Sequence, residues 1–114
     1  MLTVDDLKKF GANTEEGIGR CMGDEGFYMM LVSSFLGDTR LDQLEKALKD
    51  NDLDKAFEAA HALKGMASNL SLDPITGPVT EMTEMLRSRT MTDYSVLIKD
   101  AKDKMEVLRT MADQ

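Results

Sequence analysis

Apolar side chains recur along this chain every three to four positions and almost nowhere every two, the rhythm of helices that pack by one face. Val4, Leu7 and Phe10 lie on one side of a short helix over residues 3–10, with Thr3 as N-cap and Gly11 as its end. A second short helix over about 14–21 is capped by Asn13 or Thr14. Glu15 and Glu16 sit at its positive end, and Gly17 and Gly19 weaken it. Gly23-Asp24-Glu25-Gly26 reads as a loop and cap, followed by a stronger helix over 24–36 that buries Phe27, Met30, Leu31, Ser34 and Phe35. Residues 38–50 carry Leu41, Leu44, Ala47 and Leu48 on one face. Gly37 either bends the chain or is tolerated inside one long helix, and the pattern leaves both open.

Asn51-Asp52 is a tight connection, and Asp52 caps a helix over 52–71 whose stripe is Leu53, Ala56, Ala60, Leu63, Ala67 and Leu70. Asp73-Pro74 offers a cap followed by proline at the first helical position. Gly77-Pro78 follows four residues later, and a proline inside a helix removes a donor and clashes one turn back. The helix is therefore expected from 74, and firmly from 78, to 88, with Ile75, Val79, Met82 and Leu86 as its stripe. Ser88 to Met91 reads as a loop and Thr92 as a cap. The last helix covers 92–112 and buries Leu97, Ala101, Met105 (or Lys104), Leu108 and Met111. Short links force neighbouring helices antiparallel. The expectation is all-α, an antiparallel up-down-up-down four-helix bundle with one or two short N-terminal helical turns, in one domain spanning 1–114.

Composition narrows the class. With 42% hydrophobic and 31% charged residues, the chain reads as globular rather than disordered. A net charge of −7 disfavours nucleic-acid binding without a local basic patch, and Lys8-Lys9 and Arg87-Arg89 are pairs, not a stripe. Neither a signal peptide nor a transmembrane run of about 20 residues is visible. The lone Cys21 excludes an internal disulfide and fits a reducing compartment. A cytoplasmic, free-standing, monomeric protein is expected. One cysteine and one histidine do not make a metal site, and nothing around Cys21 suggests a nucleophile activated by His61. The ten methionines are most simply core filler at helical spacing.

His61, the only histidine, changes the picture. At 100° per residue it points about 130° away from the centre of the apolar stripe, toward water. Gly65 and Ser68 lie within about 40° of it, one and two turns on. Phe57 lies about 40° away on the other side, as rim contact or core edge. Lys64 falls between His61 and the stripe, where its stem can lie on apolar surface while its cation reaches the neighbourhood of the imidazole. Gly65 costs about 1 kcal/mol relative to alanine in a helix interior. Close helix packing would explain a glycine on the buried side, but this one lies with His61. Clearance for an approaching protein explains it better.

The run Ala60-His61-Ala62-Leu63-Lys64-Gly65-Met66-Ala67-Ser68-Asn69-Leu70 resembles the phosphoacceptor motif of histidine-containing phosphotransfer (HPt) domains, close to A-H-x-L-K-G-x-x-x-x-L-G. Gly17-Ile18-Gly19-Arg20, Gly23-Asp24-Glu25 and Tyr28 to Phe35 also resemble the helix pair before that motif, so the likeness covers roughly residues 14–88. The chain departs from the pattern at Ser71, where the family has glycine. It departs again near Thr83, where relatives often place a supporting glutamine, and at Pro78.

The resemblance implies a phosphoryl carrier in multistep two-component phosphorelays. His61 would be the phosphoacceptor, Lys64 would stabilise phosphate charge, and Gly65 would leave room for the receiver. Partners would be response-regulator receiver domains and a hybrid sensor kinase. No cofactor is implied for this chain, because Mg²⁺ belongs to the receiver, and such a domain is not an autonomous ATP-dependent kinase. The alternative is a docking module of the same fold that binds a receiver or histidine kinase without carrying phosphate.

Overall fold

A computed structural model describes residues 1–114, and every regular element in it is a helix: α1 (Val4–Phe10), α2 (Thr14–Arg20), α3 (Glu25–Leu36), α4 (Arg40–Lys49), α5 (Leu53–Asn69), α6 (Asp73–Arg87) and α7 (Ser95–Ala112). The starts of the helices follow from short polar side chains that satisfy the first free amides. Thr3 and Asp6 form a reciprocal capping box on α1. Asn13, Asp24 and Asp52 accept from Glu16 N, Phe27 N and Lys55 N to cap α2, α3 and α5. The chain breaks at Gly37, so α3 and α4 are separate helices, with Asp38 accepting from Arg40 N at 2.8 Å.

The core is apolar and continuous. α5 lies between α4 and α6, α6 packs on α7, and α7 also touches α1, α3 and α4. The α5 face is the expected one, with Ala56, Ala60, Leu63, Ala67 and Leu70 buried and Leu53 half-buried. Ile75, Val79, Met82 and Leu86 of α6 and Ala101, Met105 and Leu108 of α7 are buried as expected, and Ile98 joins them.

Three expectations are corrected. In α3 the buried side chains are Tyr28, Val32 and Phe35, whereas Phe27 is 44% and Met30 58% exposed and Ser34 faces solvent. This helix has no charged residue after Glu25, so its pattern has little polar contrast to fix its rotation. The burial of Tyr28 decides it. Its hydroxyl donates to Leu70 O at 2.8 Å, and burial pushes its pKa up to about 12.

Second, α6 starts firmly at Asp73 and runs through Pro78 without a break. Leu72 is the N-cap, and its carbonyl accepts from Ile75 N and Thr76 N, both at 2.9 Å. Pro78 lies past the first turn of the helix, so its missing donor costs one ladder bond. Its ring is buried on the same side as Ile75 and Val79, and that burial offsets the loss. Third, α7 begins at Ser95 rather than at a Thr92 cap. Tyr94 is buried with its hydroxyl donating to Thr90 O at 2.7 Å, and Asp93 accepts from Ser95 N at 2.8 Å. The anchored tyrosine keeps residues 90–94 out of the helix.

Candidate functional site

The exit of α5 sets the rigid end of the site helix. Ser71 is buried with a φ of +54°, a left-handed conformation that ordinarily favours glycine. Serine here takes up a conformation in which glycine is the usual residue. Its hydroxyl is held from both sides, accepting from Arg20 Nη1 at 2.6 Å and donating to Glu16 Oε1 at 2.8 Å. Arg20 Nη1 also reaches the Ser68 and Asn69 carbonyls at 2.9 and 3.3 Å. A cation on the last free carbonyls of a helix satisfies acceptors and opposes the negative end of its dipole. The Ser71 hydroxyl and the Arg20 guanidinium hold the Glu16 carboxyl below its ordinary range.

One to two turns back from that end, His61 and Gly65 are exposed. A Cβ built on Gly65 would meet nothing within 4 Å, so no neighbour inside the protein requires a glycine there. Ser68 is half-buried on the same strip. Phe57 is half-buried too, packed against the core and with its ring centroid 5.6 Å from that of His61 at an interplanar angle of 33°. It lies at the edge of the core, beside the imidazole.

Lys64 is only 32% exposed in its side chain, and its ammonium leans to α6, where Nζ lies 3.6 Å from Glu84 Oε1. That separation is an ion contact rather than a hydrogen bond. Glu84 Oε2 accepts from Arg87 Nε at 3.3 Å. Arg87, and secondarily Lys64, draw the Glu84 carboxyl below its ordinary pKa. The guanidinium carbons of Arg87 and Arg89 lie 5.2 and 4.9 Å from the centroid of the Phe57 ring, within cation–π range. Arg89 Nε also donates to Asp54 at 2.8 Å.

An acidic chain has thus gathered Arg87 and Arg89 on the Phe57 ring, which itself stacks against His61, and Lys64 one turn along the same helix. Glu84, Arg87 and Arg89 are the site residues that sequence reasoning missed. Thr83, the position expected to hold a supporting side chain, is buried and donates to Val79 O in its own helix. The carboxylate one position on reaches toward Lys64 of α5 instead. Val79, Met82 and Leu86 define the buried side of α6. Arg87 flanks it, whereas Glu84 lies roughly 160° around the helix, on the outer face, so spacing alone gives no sign that its carboxylate reaches Lys64.

Cys21 is buried in the core at the end of α2. No cluster of three or more His, Cys, Asp or Glu side chains gathers in a metal-binding arrangement, and no helix is long and apolar enough to cross a membrane. A hollow of about 220 Å³ between α4, α5 and the start of α7, lined in part by Leu48, Leu53, Met91 and Tyr94, contains none of the site residues. The histidine lies on an open helix face, accessible to another protein.

The family model described as the Hpt domain matches residues 32–114, and the chain belongs to that family. Comparison with curated proteins gave no match, and comparison with solved structures gave none either. The matched part begins within α3, so it extends to the last helix but leaves out α1 and α2, which the motif resemblance had partly included. Membership places the chain in histidine phosphotransfer of two-component signalling, whose Hpt domains interact with response-regulator receiver domains and kinases.

Proposed function

We propose that the protein carries phosphoryl groups in a multistep phosphorelay, with His61 accepting from the aspartyl phosphate of one receiver domain and passing the group to another. The observation that carries this reading is the exposed imidazole against Phe57, with Lys64 one turn on along the helix and Gly65 bare on its open side. In the step itself, the lone pair of the unprotonated ring nitrogen attacks phosphorus. The P–O bond to the aspartyl oxygen breaks, and its electron pair returns to the carboxylate. The ring proton stays on the other nitrogen of the resulting phosphoimidazole. Such transfers depend chiefly on alignment and on neutralising the oxygens' charge. Lys64 supplies charge from this chain, while the receiver brings Mg²⁺ and its own acidic pocket. Gly65 clears the approach, and Phe57 and Ser68 form the rim.

In this reading residues 1–114 are one unit of the cytoplasm, working as a monomer, in which α4 to α7 form an up-down-up-down bundle. Short links, the α4–α7 pair Glu45–Lys102 and the pair Asp54–Arg89, which ties the start of α5 to the turn after α6, support that arrangement. Incubation with a phosphorylated receiver is expected to give acid-labile, base-stable label on the wild type and none on His61→Gln. Equal label on both proteins would sink the assignment.

A second reading, docking without phosphate carriage, is favoured by one observation: Lys64 is engaged by Glu84. Receiver binding that persists in His61→Gln, with no label on the wild type, would select it.

A further inference from the structure

Lys64, one turn from His61 on α5, shares a carboxylate with Arg87 of α6. Glu84 presents Oε1 to Lys64 across the α5–α6 contact at 3.6 Å and Oε2 to Arg87 within its own helix at 3.3 Å. Both separations are long for charge-assisted bonds, and the Glu84 side chain is 54% exposed. Ion pairs of this kind are weakly held and exchange easily. A phosphoryl group on the imidazole brings close to two negative charges and three acceptor oxygens, and so outcompetes a single carboxylate for an ammonium. Lys64 stands one turn from His61 on the adjoining face, so rotation of its flexible stem carries the charge from one anion to the other. Arg87 stays behind. Its contacts with Glu84 and with the Phe57 ring keep the carboxylate where Lys64 can return to it.

Building on the reading of His61 as phosphoacceptor, we propose that Glu84 is a positioning residue acting through Lys64. It is a built-in counter-ion that holds the ammonium while His61 is unphosphorylated and competes for it once the phosphoryl group has arrived. No covalent bond changes at Glu84; only the partner of the ammonium does. The competition limits how tightly the phosphohistidine is held and so keeps its transfer onward favourable. Removing a unit charge about 4 Å from Lys64 shifts the transfer equilibrium toward phosphohistidine about fivefold under water-like screening, and less as salt rises.

The test loads the protein with phosphoramidate, a small N–P donor that exchanges ammonia for the imidazole. Phosphoryl is then allowed to equilibrate with an isolated receiver domain. The phosphohistidine share is measured at low and high salt for the wild type, Glu84→Gln, Glu84→Asp, Lys64→Met and the Lys64→Met/Glu84→Gln double variant. Glu84→Gln is expected to raise that share about fivefold at low salt, and Glu84→Asp to return it toward the wild-type value. In the Lys64→Met background the Glu84 substitution is expected to change nothing. A strap with a purely structural role would lower the melting temperature and leave the partition unmoved. With wild type labelled, an unchanged partition in Glu84→Gln overturns this proposal alone, as does the same shift in the Lys64→Met background. An unlabelled wild type overturns both it and the phosphoacceptor reading.

Discussion

At Gly65 the interests of folding and of docking separate. An alanine there would meet no neighbour and would remove the conformational freedom that glycine retains in the unfolded chain. Gly65→Ala is therefore expected to stabilise the protein by about 0.5–1 kcal/mol in urea denaturation. The same methyl stands where a receiver would approach, and transfer to His61 is expected to slow about tenfold or more, because small misalignments are costly in a transfer governed by positioning. A variant that is both less stable and fully active would refute the clearance argument. Tyr28 makes the opposite case, a residue whose only task is structural. Tyr28→Phe removes a buried donor from the Leu70 carbonyl and is expected to cost about 1 kcal/mol, read as a lower urea midpoint with labelling of His61 unchanged.

Among the elements, α5 was the most legible in sequence, because small and large apolar residues alternate with charges around the whole helix and fix its rotation. The outward direction of His61 followed from that rotation alone. In α3 an uncharged run gave no such contrast, and the tyrosine that sets its rotation is identified by a hydrogen bond to a carbonyl 42 residues away, which no local pattern contains. Pro78 misled for a related reason. Its cost is local and visible, whereas the burial that offsets it depends on the facing helices. Glu84 lay one position from the residue singled out at Thr83, a difference of about 100° around the helix.

By propensity Gly17 weakens α2, yet a Cβ there would stand 2.5 Å from Tyr28 Cε1 and 2.9 Å from the Leu70 carbonyl. It is a point of close approach between three elements. Gly17→Ala is expected to destabilise by about 1–3 kcal/mol through overpacking, the reverse of the gain at Gly65. Thermal melts of the two alanine variants side by side would check both signs.

For the molecule as a whole, an excess of acid is organised so that several carboxylates have partners. The Ser71 hydroxyl and Arg20 lower the pKa of Glu16, Lys102 that of Glu45, and Arg87 with Lys64 that of Glu84. Each folded-state value lies below the ordinary 4.5, so each group adds stability above that pH and loses it as pH falls through the lowered value. Urea midpoints are expected to change little between about pH 7 and about pH 5, then fall toward about pH 3, and to fall less in a Glu16→Gln/Glu45→Gln/Glu84→Gln variant. An identical fall in that variant would place the acid sensitivity elsewhere.

The guanidinium of Arg20 also has a dynamic consequence. It binds the last turn of α5 to α2, an element outside the family-matched part of the chain, and so pins the far end of the helix that carries His61. Fraying normally begins at helix ends and spreads inward. Here the Leu70, Ser71 and Leu72 amides, bonded to Met66, Ser68 and Ala67 carbonyls, are expected to exchange with deuterium slowly. Arg20→Ala should speed them while leaving Ala62 and Leu63 protected. The two-turn helix before the matched region would then serve as a brake on hydrogen exchange, keeping local melting from reaching the imidazole.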